Sequence, residues 1–152
     1  MVIIHNVRSA ENVGSIFRTA EAAGVSKIYL TGYTPSPLDR FGRNNKKLTK
    51  ASLGAEEFVM WEVAPSVSVL LNKLKRSNFK LIALEQDSKS VSYKKIKLKG
   101  KTAIIVGNEV EGVEKSILNK VDVIAEIPMS GRKESLNVAV AFGIFAFSLL
   151  EH

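Results

Sequence analysis

The sequence predicts a single α/β domain: a parallel sheet with helices on both faces. Two observations carry that expectation. Short β-rich apolar runs alternate with amphipathic helical stretches, and the alternation runs through all 152 residues without repeat, linker or low-complexity segment. With 45% hydrophobic and 24% charged residues, a chain of this length buries about two-thirds of its unfolded surface.

Taken in order, Val2–His5 is the first strand candidate. Glu11–Ala23 follows as a helix, because Val13, Ile16, Phe17 and Ala20 recur at helical spacing on one face. Lys27–Thr31 reads as the second strand. Thr34–Arg43, with Pro35, Pro37 and Gly42, reads as a loop leading into basic residues, and Glu57–Trp61 as the third strand. Pro65 suits a first helical turn, and Val67, Leu70, Leu71 and Leu74 continue that helix. Lys80–Leu84, Thr102–Val106 and Val121–Ile127 complete the strands. From about Glu134 to Leu150 the chain is apolar almost all round, the pattern of a helix packed on several sides. In open parallel sheets ligands bind beyond the carboxyl ends of the strands, so chemistry is expected in the loops that follow them.

Composition removes several function classes. There is no cysteine, which excludes disulfides, thiolate metal sites, iron–sulfur clusters and cysteine nucleophiles. The two histidines, His5 and His152, stand at opposite ends of the chain. A Ser-His-Asp triad or a multi-histidine zinc site is therefore not expected, and no metal is assigned. The opening MVIIHNVR has no apolar core behind a basic start, and Val138 to Leu150 falls short of the roughly 20 residues of a membrane-spanning helix. The expectation is a soluble, cytoplasmic protein with no membrane partner.

The net charge is +7, and it is unevenly spread. Residues 1–50 carry +5, residues 51–100 carry +4 and residues 101–152 carry −2. A polyanionic partner would thus meet the first two-thirds of the chain. Two clusters stand out: Arg40, Arg43, Lys46, Lys47 and Lys50, then Lys94, Lys95, Lys97, Lys99 and Lys101. Either also reads as a solvated surface, and the second as a guard beside an edge strand.

Three segments are too polar and too glycine-rich for plain scaffold. Asn12-Val-Gly-Ser-Ile-Phe-Arg18 puts an amide, a glycine and an arginine on a helix whose other face is apolar. Gly14, one turn before Arg18, leaves backbone open to a close neighbour; glycine there costs roughly 1 kcal/mol against alanine. From this segment alone, the first reading is Arg18 as a surface partner of Glu21 or Glu11, and Asn12 as a cap. Val106-Gly-Asn-Glu-Val-Glu-Gly112 follows an apolar strand and exposes backbone groups able to bind an adenine or ribose, with Glu109 beside them. It is neither a P-loop nor a dinucleotide fingerprint. In Ile127-Pro-Met-Ser-Gly-Arg-Lys-Glu-Ser-Leu-Asn-Val138, Ser135 and Asn137 open the last helix, where capping residues are ordinary and exposed amides also suit an anion.

Together, in this order and spacing, the three segments resemble the SpoU/TrmH-type RNA methyltransferases of the SPOUT superfamily. Asn12, Gly14, Arg18, Thr19 and Ala20 match the first motif, and Gly107, Glu109 and Gly112 the second. Ile127, Pro128, Met129, Gly131, Glu134, Ser135, Leu136 and Asn137 match the third. The resemblance implies one SpoU-type domain over residues 1–152, without accessory RNA-binding extension, whose C-terminal part forms a deep trefoil knot. It implies methyl transfer from S-adenosylmethionine to a ribose 2′-hydroxyl, with S-adenosylhomocysteine as product, by a homodimer. RNA is the implied partner, tRNA ahead of rRNA. Leu84, Glu85, Gly107, Asn108, Glu109, Ile127, Met129, Leu136 and Asn137 would form the cofactor pocket. Arg18, Asn12, Glu109, Ser135 and Asn137 would be the catalytic set. Arg8, Arg18, Arg40, Arg43, Lys46, Lys47 and Arg132 would bind RNA. The sequence leaves two other readings open: a non-catalytic RNA-binding module that keeps the fold, and an α/β enzyme using another nucleotide cofactor.

Overall fold

The computed structural model describes residues 1–150; His152 lies outside them. Seven strands form one sheet: β1 (Val2–His5), β2 (Lys27–Thr31), β3 (Met60–Val63), β4 (Lys80–Leu84), β5 (Val91–Ser92), β6 (Thr102–Val106) and β7 (Val123–Glu126). Five helices accompany them: α1 (Ala10–Ala22), α2 (Lys46–Ser52), α3 (Val67–Arg76), α4 (Lys115–Leu118) and α5 (Val138–Ser148). The strand order is β3-β2-β1-β6-β4-β7-β5, and every adjacent pair is parallel, as expected. The chain winds outward from β1 to β3, then crosses to β4, leaving a place for β6 between β1 and β4.

Alternate residues of the central strands feed two apolar layers, as a two-residue side-chain period requires. Val2, Ile4, Ile82, Ile104 and Val106 pack with Val13, Ile16 and Phe17 of α1 and Phe142 and Phe145 of α5. Ile3, Leu81, Ala83, Ala103 and Ile105 pack on the other face with Leu70, Leu71 and Leu74 of α3 and Ile117 of α4. Among the described residues no helix is long and apolar enough to cross a membrane.

The elements differ from expectation at several boundaries. β7 is Val123–Glu126 where Val121–Ile127 was expected, α1 runs from Ala10 because Ser9 caps it, and Pro65 lies before the α3 cap Ser66 and not in the first turn. The third strand is Met60–Val63, not Glu57–Trp61: Gly54, at φ 87°, starts a short 3-10 turn over Ala55–Glu57, and the apolar run at 58–61 straddles turn and strand. α5 begins at Val138, not near Glu134, because the Asn137 side chain accepts from the amides of Ala139 and Val140 and fixes the first turn. The first basic cluster is half loop and half helix: Lys46, Lys47 and Lys50 lie on α2, capped by Asn45 accepting from Leu48 N. The two-residue β5 and the one-turn α4 were too short to leave a periodic signal.

Gly14 owes its place to helix packing. A Cβ there would collide with the Leu48 carbonyl oxygen and lie 2.8 Å from Ala51 Cβ, so α2 sits directly on the α1 backbone. The close neighbour is protein. Gly14→Ala is therefore expected to destabilise the fold by about 1–3 kcal/mol in urea titrations. Gly131→Ala, whose added Cβ meets nothing within 4 Å, should leave the midpoint unchanged.

Candidate cofactor and catalytic site

β4, β6 and β7 end side by side, and the site is built from the loops that leave them. After Val106 the chain closes a tight loop, in which Asn108 N donates to Gly112 O at 3.0 Å and Gly112 N to Asn108 O at 2.9 Å. Gly112 takes φ 69°, and a side chain there would run into the Glu85 carboxylate. Glu85, just beyond β4, accepts from Val113 N at 2.8 Å and from Gln86 N at 2.7 Å. Buried Asn108 fixes the rest of the loop. Its Oδ1 accepts from Val110 N and Glu111 N, at 2.8 and 2.9 Å; its Nδ2 donates to Asn6 O and Tyr33 Oη, at 3.0 and 2.9 Å. Those four bonds use the whole capacity of a side-chain amide, so this side chain shapes the loop and is not itself available to a ligand.

Glu109 joins the three sequence motifs. Its carboxylate accepts from Arg8 N and Ser9 N, each at 3.0 Å, and from Asn12 Nδ2 at 3.2 Å. Asn12 Oδ1 in turn accepts from Asn137 Nδ2 at 2.9 Å. Ser9 is the α1 cap, accepting from Asn12 N at 3.1 Å, so Asn12 is not the cap; the carboxylate lies at the helix start, where a negative charge is favoured. Burial acts to raise the Glu109 pKa, but bonds from Ser9, Arg8, its own backbone and Asn12 outweigh it and hold the value below normal.

A cleft opens above this network. Of the expected cofactor residues, Leu84, Glu85, Gly107, Asn108, Glu109, Ile127, Met129 and Leu136 line it, and Asn137 does not. Ser135, from the expected catalytic set, also faces it. Sequence reasoning missed Gln86, Val110, Glu111, Glu126, Val138 and Ala141. Gln86 Nε2 donates to Glu134 O at 2.6 Å and so ties the β4 loop to the third motif, a link with no local sequence signal. Although the chain carries a net charge of +7, the lining includes Glu85, Glu109, Glu111 and Glu126 and contains no lysine or arginine.

Arg18 stands apart. It is exposed on α1 and absent from the cleft lining, about 9 Å along the helix axis from Asn12. Among the described residues no carboxylate lies within ion-pair distance of it, so the surface pairing with Glu11 or Glu21 is not formed. Arg8, Arg40, Arg43, Lys46, Lys47 and Arg132 are all exposed. Arg8 adjoins the Glu109 network through its own amide, while Arg43 pairs with Asp39 at 2.8 Å. His5 is buried, with Nδ1 2.8 Å from Thr31 Oγ1 and Nε2 3.1 Å from Glu114 Oε1.

This geometry agrees with the comparisons to known proteins. A profile of the SpoU rRNA Methylase family matches residues 1–147, and the chain belongs to that family. It is 30% identical to a 23S rRNA (guanosine-2′-O-)-methyltransferase of Xylella fastidiosa, over 97% of this chain and 56% of that protein. It is 31% identical to a tRNA (guanosine(18)-2′-O)-methyltransferase of Aquifex aeolicus, over 97% of this chain and 66% of that one. The crystal structure of an AdoMet-bound rRNA methyltransferase from Sinorhizobium meliloti superposes with a TM-score of 0.87 at 31% identity, covering 99% of this chain and 55% of that one. The chain thus spans a little over half to two-thirds of the length of these relatives.

The Glu109 bonds have a pH signature. A value depressed by folding means the stabilisation is complete above the ordinary value of 4.5 and is lost as pH falls through the folded one. Glu109→Gln should lower stability at neutral pH by about 1 kcal/mol and flatten the acid limb of a urea-midpoint profile. An unchanged acid limb would show that the carboxylate is not held in this way.

Proposed function

We propose that residues 1–152 form one catalytic domain that transfers a methyl group from S-adenosylmethionine to a ribose 2′-hydroxyl of RNA, in the cytoplasm. The observation that carries this reading is the acidic lining of a cleft built from the three family motifs in an otherwise basic protein. A phosphate-bearing cofactor would be repelled by Glu85, Glu109, Glu111 and Glu126, whereas a cationic sulfonium is attracted. Ile127, Met129 and Leu136 offer apolar surface for an adenine, and the 107–112 backbone offers polar groups for its edge. Those residues fit the cofactor. The trefoil threading of the segment after β7 belongs to the same reading, since that segment meets the β4 and β6 loops across the cleft.

S-adenosylmethionine, when bound, supplies an activated methyl group, so the protein has to align the hydroxyl and accommodate its proton. Asn12, bonded to both Glu109 and Asn137, acts with them by positioning, while Ser135 lines the cleft. A guanidinium stays protonated and is a poor base, so Arg18 is assigned to phosphate binding and to stabilising charge that develops on the ribose oxygen. Its distance from the cleft within one chain is accounted for by a homodimer that brings the two together. The exposed stripe Val140, Ile144 and Phe147 on α5 supplies a self-complementary apolar face, and Thr19, next to Arg18, packs near Gly143 of the same helix. tRNA is the preferred substrate, with rRNA as the alternative that the Xylella relative's name supports.

Labelled S-adenosylmethionine and unmodified RNA pools give the direct test, with products digested and 2′-O-methylnucleosides separated from base-methylated ones. Arg18→Ala should keep S-adenosylhomocysteine affinity within about twofold in calorimetry and lose at least about a hundredfold in transfer. Absence of S-adenosylhomocysteine binding by the unaltered protein would sink the enzyme reading. For the dimer, Ile144→Asp should shift sedimentation from dimer to monomer; a chain that is already monomeric would refute this interface.

A further inference from the structure

The segment between β2 and α2 forms a finger that the motif residues do not explain. Asn45 N donates to Pro37 O and Asp39 N to Arg43 O, each at 2.9 Å, and Leu38 bridges antiparallel to Asn44. Asp39 braces the tip from inside: Oδ1 accepts from Phe41 N at 2.8 Å and Arg43 N at 2.9 Å, and Oδ2 from Arg43 Nε at 2.8 Å. Gly42, at φ 75°, turns the chain, with its amide donating to Asp39 O at 3.0 Å. The result presents Phe41 to solvent, 67% exposed, with the guanidinium carbons of Arg40 and Arg43 at 4.8 and 5.0 Å from the ring centroid.

Nothing in folding calls for a phenylalanine at such a tip, where it buries little. Both roots of the finger are fixed to the site. Near one root, Tyr33 Oη accepts from Asn108 of the cleft loop. At the other, Asn45 caps α2, which sits on the α1 backbone at Gly14. An exposed ring with two guanidiniums close to it has the chemistry that recognises unpaired bases: a π system for stacking, and cations that can turn to the adjoining phosphates.

We infer that Phe41 is a stacking platform for one unpaired RNA base beside the modified nucleotide, with Arg40 and Arg43 on the flanking phosphates. The inference rests on the RNA reading above and adds a specificity element to it: the finger selects single-stranded or looped RNA over a regular duplex.

The test measures binding of unmodified tRNA transcripts, single-stranded oligonucleotides and a perfect RNA duplex to the full chain and its variants. Phe41→Ala should weaken binding of tRNA and single strands about tenfold and leave the duplex, S-adenosylhomocysteine affinity and thermal midpoint unchanged. Phe41→Trp should restore binding. Arg40→Ala with Arg43→Ala should instead lower the slope of log affinity against log salt by about 1.5. Equal affinities for Phe41→Ala and the unaltered protein, or an equal loss for duplex and single strands, would overturn the stacking role. If the unaltered protein binds S-adenosylhomocysteine but no RNA, the RNA reading itself fails, and the inference with it.

Discussion

Everything in the site depends on one partly buried carboxylate. Glu109 leaves the end of a central strand and takes hydrogen bonds from two backbone amides at the start of α1 and from the Asn12 side chain. Asn12 then holds Asn137, whose own side chain starts α5. Two later segments, 97 and 125 residues beyond Asn12, thus meet the first through two side-chain links and a pair of amides. A carboxylate suits the junction because an acceptor-only group can receive several donors at once, and the nearby helix start favours its charge. Remove the carboxylate and the donors of Arg8, Ser9 and Asn12 lose their common acceptor, loosening the first motif from the other two.

A second layer of constraint sits in the glycines of that loop. Gly112 is required twice over, by its positive φ and by the approach of Glu85. Gly107 leaves no room for a side chain because the Gly112 backbone comes back against it. The loop is thus held in a narrow conformation before any ligand arrives. Such preorganisation keeps the ordering entropy of binding low. Asn108 extends the constraint to Tyr33, and through it the cleft is coupled to the finger that carries Phe41.

Much of the architecture was legible in the sequence, because the central strands are buried on both faces and read as continuous apolar runs. Val2–His5, Lys27–Thr31, Lys80–Leu84 and Thr102–Val106 agree to the residue. The edge was harder. β3 is mostly exposed, so its pattern carries no burial signal, and β5 has two residues. Within the site, the motif residues came from resemblance, and the structure adds how they are used: Asn12 as a link and not a cap, Asn108 as a loop former, Gly14 as a helix contact. Glu111 and Gln86 carry no signal because polar residues after a strand look like ordinary solvated turn residues, and Glu126 none because it reads as part of its strand, until the fold brings all three to one wall. Arg18 is the opposite case, conspicuous in sequence yet outside the cleft of a single chain.

The distribution of charge divides this small domain into a basic exterior and an acidic cleft, which on the proposed reading suit two ligands of opposite sign. Exposed clusters of lysine and arginine lie on the finger, on α2 and along the 94–101 run, while the cleft wall is acidic. A polyanion attracted by the outside is repelled from the cleft itself, over distances shorter than a Debye length of about 8 Å at physiological salt. On the proposed reading, the RNA backbone therefore rides along the basic surface without occupying the cofactor cleft. A nucleotide has to present its neutral ribose hydroxyl toward the acidic wall, and the guanidinium of Arg18, outside that wall, is the charge that can follow its phosphate. On that reading the same separation would keep a cationic cofactor from being displaced by the substrate's phosphates. On the same reading, selectivity for a deformable or unpaired stretch of RNA would precede any reading of a base, since a stiff duplex cannot turn one ribose inward while keeping its phosphates on the rim.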